Sequence, residues 1–263
     1  MRIRFAARLN ASNKMMTLAP FALALVATTA AFGQAKSSFS APKHPWEGHA
    51  DLSGIWEAKP NAGDDVSKLI VDPSNKKIPY LPEAAAKAKA NAKDKAGDST
   101  SKCYMPGVPR LMYMSVMNKA LPFQIFQTAK YIMIDSEYAH VYRQIFMDGS
   151  PHLDGVQFWD GDSRGKWEGD TLVVDVTGFN DQTWFDKAGN YHSDQLHVVE
   201  RYTRTAPDTL TYEATITDPK VFSKPWTIRV PLALNKAPNA RIMEYECQEL
   251  APLSASEAQA KKK

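Results

Sequence analysis

Short stretches in which apolar and polar residues alternate dominate the second half of the chain. Side chains of a β-strand alternate between its two faces, so each stretch predicts a half-buried strand. The candidates are Phe123–Gln127, Tyr131–Glu137, His140–Phe146, Phe158–Trp159, Gly165–Trp167, Thr171–Val176, Gln195–Thr205, Thr209–Thr217, Trp226–Leu234 and Ile242–Gln248. Most are joined by short turns, which favour antiparallel neighbours. The pattern predicts a mainly β protein, an antiparallel up-and-down, lipocalin-like β-barrel.

Two further elements are predicted ahead of these strands. Asp51–Trp56 is a turn that leads into a first strand, and we expect this strand to close the barrel. Its Gly54-Ile55-Trp56 resembles the Gly-x-Trp motif of lipocalins. Pro82–Ala96 has strong helix formers and a proline at its start, but no apolar face beyond alanine. This segment predicts a short helix exposed to solvent.

The segment GDSRGKWEGDTLVVDVTGFND, residues 161–181, predicts a hairpin. Glu168-Gly169-Asp170 is the turn between its two arms, because glycine and aspartate suit tight turns. A phosphate-binding loop would lead its glycines into the N-terminus of a helix, whereas a β-branched strand follows here. Asp162 and Ser163 are expected to bond their own backbone.

The first 35 of the 263 residues have the pattern of a secretory signal peptide. A basic start precedes an alanine-rich apolar run, Leu18–Phe32, and the small residues of Gly33-Gln34-Ala35 follow. The alternative is a transmembrane anchor, but the run is shorter than the roughly 20 residues that span a bilayer. We therefore expect a periplasmic or secreted protein with no stable membrane anchor after cleavage.

The chain after the leader has the size of one domain and is close to neutral, because the leader carries four of the basic residues that give the net charge of +3. No basic stripe suggests a nucleic-acid partner. We expect an N-terminal extension over residues 36–102, with the first strand and the helix. The barrel domain is expected over residues 103–250, and a disordered tail over residues 251–263.

The chain contains two cysteines, Cys103 and Cys247. An even count in an exported protein favours a disulfide between them over two buried thiols. Neither belongs to a CxxC motif, so redox catalysis and a thiolate zinc site are not predicted.

Several predicted strands carry polar residues on both faces. Tyr142 and Arg143 point to opposite sides of one strand, so at most one of them faces inward. His197 and Glu213 add polar positions to two later strands. The pattern fits a barrel with a polar interior of ligand size, and it fits cross-strand ion pairs on an exposed face equally well.

The densest polar and aromatic segment is the long connection from Gly178 to Asp194, and long ordered loops often carry binding groups. We expect its chemistry to rest on Asp181, Trp184, His192 and Asp194, with Phe179 able to stack on a flat ligand. The alternatives are a histidine that bonds backbone and a tryptophan that plugs the barrel end.

Metal and serine chemistry have weak support. His152, His192 and His197 do not have a spacing that places two ligands on one face, so no metal site is predicted. No GxSxG motif is present, and Ser163 lacks the strand-turn-helix setting of a nucleophile.

The chain resembles a family of exported proteins of soil bacteria and sphingomonads. The resemblance covers most of the chain after the leader and rests on DLSGIW, CYMPGVPR, PFQIFQT, GDSRGKWEGDTLVVDVTGFNDQTW, HSDQLHVVERY, DPKVFSKPWT and EYECQE. Similar proteins include lyases of lignin-derived phenylcoumaran dimers, which remove one carbon as formaldehyde or carbon dioxide and leave a stilbene. The resemblance implies an acid/base lyase of this kind that needs no cofactor.

Such a reaction requires a base, an acid and a cation. Tyr142 or His192 would serve as base or acid, Arg143 would stabilise phenolate or carboxylate, and Asp181 would orient His192. The expected substrate-binding residues are Tyr131, Phe179, Trp184, His197 and Glu213. The alternatives are a periplasmic binding protein for an aromatic or apolar molecule, and a hydrolase or isomerase on the same scaffold. The expected partner is a small aromatic substrate, and the chain could form a homo-oligomer.

Overall fold

The computed structural model describes residues 39–72 and 75–247. Within them, the strands are β1 Gly54–Glu57, β2 Ser115–Val116, β3 Lys119–Ala120, β4 Phe123–Gln127, β5 Tyr131–Ser136, β6 Tyr142–Phe146, β7 Asp162–Glu168, β8 Thr171–Thr177, β9 His197–Ala206, β10 Thr209–Thr217 and β11 Trp226–Leu234. The α-helix α1 is Pro82–Asn91, and the 3₁₀ helices are Ala62–Asp64, Val66–Leu69, Lys95–Gly97, Ser99–Lys102, Arg110–Tyr113 and Tyr138–His140.

Nine of these strands close into a barrel in the order β1-β11-β10-β9-β8-β7-β6-β5-β4, and β4 pairs again with β1. β2 and β3 form a separate two-stranded sheet. All neighbours in the barrel are antiparallel except β6 and β7, which run parallel. The prediction of a mainly β barrel is confirmed. The prediction of antiparallel pairing throughout is wrong at β6–β7, where a connection of 15 residues, 147–161, replaces a tight turn.

Three predicted elements differ in the structure. Phe158–Trp159 is not a strand, because Phe158 makes only an isolated parallel bridge to Phe179. The segment from Ile242 to Cys247 has no strand either. The helix predicted over Pro82–Ala96 ends at Asn91, and its Ala84 is buried while most of its other residues are exposed.

The predicted hairpin is confirmed. β7 pairs with β8 from Asp162–Thr177 to Glu168–Thr171, so Gly169 and Asp170 form a two-residue turn. Gly169 has a φ of 62°, a left-handed conformation that glycine adopts without strain. The expectation that Asp162 and Ser163 bond their own backbone is wrong, because both side chains are buried and bind other segments.

The barrel interior is filled with side chains rather than open. Along β10 and β11 every second residue is buried, which is the alternation expected of strands around a packed core. Tyr202 and Tyr212 lie side by side in this core, with ring centroids 5.0 Å apart. The outer face carries the cross-strand ion pairs Arg201–Glu168 and Arg229–Glu213. The polar residues on these strands therefore form cross-strand ion pairs on the exposed face, rather than lining a polar interior of ligand size.

A disulfide joins Cys103 to Cys247, as predicted, and connects residues 144 positions apart. Next to it, the Tyr245 ring packs on Tyr138 with centroids 5.8 Å apart. The bond therefore ties the irregular segment after β11 to the end of the 3₁₀ helix Ser99–Lys102, and the Tyr245 contact places this segment beside the 3₁₀ helix that precedes β6.

The predicted signal peptide, residues 1–35, and the predicted tail, residues 251–263, lie outside the described residues. Within the part that the structure describes, no helix is long and apolar enough to cross a membrane.

Candidate functional site

A cavity of about 810 Å³ opens where β6 and β7 diverge. These parallel strands pair only through Ile145–Ser163 and Phe146–Arg164. The residues that precede these pairs, Tyr142–Gln144 and Asp160–Asp162, line the cavity instead of pairing with each other. Its volume lies within the roughly 300–1,000 Å³ of small-molecule sites. The parallel pair therefore creates a ligand-sized opening in the barrel wall.

Aromatic and other apolar side chains form most of the cavity wall. They are Tyr104, Met105, Tyr142, Phe146, Leu153, Phe158 and Trp159. The Tyr104 and Trp159 rings lie 5.4 Å apart at 54°. The side chains of Tyr104 and Tyr142 are large and partly apolar, yet they are 54% and 70% exposed to solvent. A cluster of exposed apolar side chains beside a cavity is typical of a ligand site.

The most unusual polar group of the cavity is the carboxyl of Asp160. The residue is only 9% exposed, and within residues 39–72 and 75–247 its Oδ1 has no hydrogen-bond partner. Burial raises the pKa of Asp160 to about 6, although the Arg143 guanidinium and the backbone N–H of Gly107, which donates to the carboxylate, oppose this shift. A buried carboxyl that titrates near neutral pH can both accept and return a proton.

Arg143 lies at the cavity floor in a closed hydrogen-bond network. Its guanidinium donates to both carboxylate oxygens of Glu200, to Ser163 Oγ from Nε and Nη2 at 3.0 and 2.9 Å, and to Tyr202 Oη at 3.4 Å. Tyr212 Oη also donates to Glu200, at 2.7 Å. These contacts use all five N–H donors of arginine. Burial lowers the pKa of Arg143, but the charge of Glu200 raises it by a larger amount, so the pKa lies above its usual range.

The segment Cys103–Arg110 holds the opposite wall. Gly107 has a φ of 77°, and a Cβ at this position would lie 2.3 Å from Thr183 Oγ1. Glycine is therefore required for the backbone that donates to Asp160. Arg110 fixes the end of the segment through a buried bidentate pair with Asp98, at 2.7 and 2.9 Å.

The residues predicted as catalytic do not form one constellation. Tyr142 and Arg143 both line the cavity, the first exposed and the second buried, as their alternation predicts. Asp181 is exposed on the loop and bonds its neighbour Gln182. His192 is fully buried, and it does not line the cavity.

Both ring nitrogens of His192 have protein partners. Nε2 lies 2.7 Å from Thr183 Oγ1, and Nδ1 lies 2.8 Å from the backbone oxygen of Ser193. Burial lowers the pKa of His192, which favours the neutral ring. His192 is therefore a loop histidine that bonds the backbone, which was the alternative to a catalytic role. Its partner Thr183 packs against Gly107, on the side away from the cavity.

The predicted substrate-binding residues are spread over the molecule. Phe179 is fully buried and packs behind Gly161, where a Cβ would lie 2.8 Å from its ring. Trp184 is buried against Gly97. Tyr131 is exposed at the start of β5. His197 and Glu213 lie on outer faces, paired with Asp175 and Arg229, and Asp194 of the loop pairs with Lys220.

Sequence reasoning missed Asp160, Trp159 and Tyr104. Trp159 and Asp160 stand in the FWDGD segment, residues 158–162, where an aromatic pair precedes a carboxylate and a glycine. Gly161 has a φ of 72°, and a Cβ there would collide with Val176 and Phe179. An apolar pair followed by a turn is consistent with a strand end, so nothing local marks this aspartate as buried.

A second cluster lies at the rim of the cavity. His140, Glu244 and Glu246 offer ligand atoms that all lie within 4.8 Å of one another, and His140 lines the cavity. One imidazole and two carboxylates are ligands that suit a divalent cation such as Zn²⁺. His140 pairs with Glu246 in this structure.

Neither protein-family models nor curated proteins gave a match to this chain.

Proposed function

We propose that the cavity between β6 and β7 is the active site of a cofactor-independent lyase on an aromatic dimer of the phenylcoumaran type, with Asp160 as the group that moves the proton. The observation that carries this proposal is the unpaired, buried Oδ1 of Asp160 beside an aromatic wall. Buried polar groups of folded proteins nearly always have a partner, so an unpaired carboxylate oxygen in a residue that lines a cavity supports a role in ligand binding or proton transfer.

The chemistry balances without an oxidant or a reductant. The phenolate form of the substrate releases the ring oxygen and becomes a quinone methide. Asp160 then takes the proton of the hydroxymethyl O–H, and the breaking C–C bond supplies the electron pair of the new C=C bond. Formaldehyde leaves, the phenolate is restored, and the released ring oxygen takes up a proton. With a carboxylate in place of the hydroxymethyl group, carbon dioxide leaves instead.

Other residues of the cavity have supporting roles in this proposal. Tyr104 and Trp159 would hold one aromatic ring of the substrate, since offset ring contacts are favourable. Tyr142, which is exposed at the mouth, would donate to a substrate oxygen. Arg143 would act through its field rather than by direct contact, because all its donors have protein partners.

The test is incubation of the purified protein with a phenylcoumaran alcohol and with its acid. We expect stilbene absorbance and an equimolar amount of formaldehyde or carbon dioxide. Tyr142→Phe should raise KM, whereas Tyr131→Phe, a matched change of an exposed tyrosine outside the cavity, should leave the rate unchanged. No product from either substrate would refute the lyase.

The proposed reaction requires no metal, so a chelator should leave its rate unchanged. A chelator that abolishes activity, and Zn²⁺ that restores it, would instead assign a role to the cluster of His140, Glu244 and Glu246. In that case the activity of His140→Ala should not respond to either addition. The chelated protein must keep its thermal unfolding temperature for either result to count.

A binding protein for an aromatic molecule is the second candidate function. Its support is the exposed aromatic wall, which a ligand would cover. In a lipocalin-like protein the ligand would sit inside the barrel, whereas this cavity lies in the barrel wall. Saturable binding of the phenylcoumaran without turnover, retained in Asp160→Asn, would favour this function. A periplasmic or secreted location fits both candidates, and the disulfide supports it.

A further inference from the structure

We propose that His140, Glu244 and Glu246 form a binding site for a divalent transition-metal cation of the Zn²⁺ type at the rim of the cavity. The cation joins the irregular segment after β11 to the 3₁₀ helix Tyr138–His140, which precedes β6. The inference concerns metal binding alone, so it holds whether the cavity binds or converts its ligand. The proposed lyase reaction makes no use of this cation.

The segment after β11 is held in place on both sides of its glutamates. Tyr245 packs its ring against the 3₁₀ helix that precedes β6, and Cys247 is fixed by the disulfide. Glu244 and Glu246 flank Tyr245 in the sequence, and their carboxylates lie beside the imidazole of His140. The fold therefore supplies much of the ordering that a metal site requires, before any cation binds.

The three donor groups are close to the spacing of a zinc site. Nitrogen and oxygen ligands lie about 2.0–2.2 Å from zinc, so two ligands of a tetrahedral ion are about 3.4 Å apart. The ligand atoms of His140, Glu244 and Glu246 all lie within 4.8 Å of one another. The side chains of His140 and Glu246 are 54% and 45% exposed, so they can rotate to close the remaining distance.

The charge of the cluster also favours a cation. Among the residues that the structure describes, Glu246 pairs only with His140, and Glu244 has no ion pair. The glutamates of the outer barrel face, Glu168 and Glu213, each have an arginine partner instead. One divalent cation would compensate both carboxylates of the cluster at once, because each lies within a few ångströms of the same point.

The donor types and the cavity define the cation and its surroundings. Ca²⁺ and Mg²⁺ prefer oxygen ligands alone, whereas one imidazole with two carboxylates suits Zn²⁺. Three protein ligands leave a fourth position open. His140 lines the same cavity as Asp160, whose buried Oδ1 lacks a partner within the described ranges. At this rim the fourth position is available to water or to an oxygen of a molecule in the cavity.

Titration of the untagged, metal-free protein with Zn²⁺ tests the site. Competition with a chromophoric zinc indicator should show one tightly bound Zn²⁺ per chain, and an equal concentration of Ca²⁺ or Mg²⁺ should not displace it. Bound Zn²⁺ should also slow deuterium exchange of the backbone amides of residues 241–246, whereas the amides of β9 and β10 should not respond.

His140→Asn, Glu244→Gln and Glu246→Gln should each weaken Zn²⁺ binding at least about tenfold, since loss of even an outer partner of a metal ligand costs about 10–100-fold. His140→Asn suits the backbone, because residue 140 has a φ of 53°, which asparagine tolerates. His197→Gln is the matched control, because it removes another histidine that bonds a carboxylate, on β9. It should bind Zn²⁺ as the wild type does. No tight binding by the wild type, unchanged binding in the three cluster variants, or an equal loss in His197→Gln would overturn the proposal.

Discussion

Asp160→Asn should make the protein more stable near neutral pH and catalytically inactive. Burial raises the Asp160 pKa from its ordinary 3.8 to about 6. At 1.36 kcal/mol per pH unit, this difference corresponds to about 3 kcal/mol. Because the folded pKa is the higher one, the unfolded chain loses its proton first as the pH rises. The folded state therefore loses about 3 kcal/mol as the pH rises from about 3 to about 7, with most of the loss between pH 4 and pH 6, and the loss stays constant above that range.

Urea unfolding of wild type and variant between pH 4 and pH 7.5 measures this effect. The stability difference between Asp160→Asn and wild type should grow by about 2–3 kcal/mol over that range, and any pH-independent effect of the amide cancels in this comparison. Asp154→Asn, which removes an exposed carboxylate from the same loop, should keep a constant difference. In the lyase assay, loss of the proton-transfer group should lower kcat by about 10²–10⁴-fold.

A stability difference that does not change with pH would refute the claim that burial raises the pKa of the Asp160 carboxyl. A normal kcat in Asp160→Asn would refute its catalytic role but leave the cavity as a binding site. The two measurements are independent, because the first concerns folding and the second requires substrate.

Three further predictions follow from the packing. Arg143→Met should lower the free energy of unfolding by about 3–5 kcal/mol, because Glu200 then stays buried without its cation, and Arg143→Met with Glu200→Leu should recover much of it; equal losses would argue against the pair. Reduction of Cys103–Cys247, which spans 144 residues, should lower the urea midpoint by an amount equivalent to as much as about 5 kcal/mol, and the intact protein should show no alkylatable thiols. Trp159→Ala should raise KM for an aromatic substrate about 3–10-fold, with little change in kcat, since ring contacts contribute about 0.5–1.5 kcal/mol.

The alternation of apolar and polar residues was enough to predict the barrel and most of its strands. β10 and β11 have their predicted bounds, because their inner faces are wholly apolar. β9 lies within two residues of its predicted bounds, although its inner face carries Glu200 between Val198 and Tyr202. The course of the 147–161 connection was harder to predict. Periodicity gives no direction for a strand, so it could not show that this connection carries the chain back to run β7 parallel to β6.

The site depends on that one parallel pair, which explains why sequence reasoning placed it elsewhere. The loop 178–194 has the residue types of an active site, but its Phe179, Trp184 and His192 are buried and do not line the cavity. Arg143 was identified as a functional candidate because an arginine can hold a carboxylate or a phenolate through its N–H donors. Its partner Glu200 lies 57 residues away, and no local pattern connects the two.

The two buried carboxylates near the cavity show why Asp160 is the better candidate for chemistry. Glu200 has a cation and two tyrosine donors, so a change in its protonation would disrupt a complete network in the core. Asp160 has an unpaired oxygen at a cavity and titrates near neutral pH, so it can gain or lose a proton without disturbing that network. An unpaired carboxylate destabilises the fold, and such a group is retained where function requires it. Asp160→Asn tests this reasoning directly, because the variant should unfold less readily near neutral pH and should lose catalytic activity.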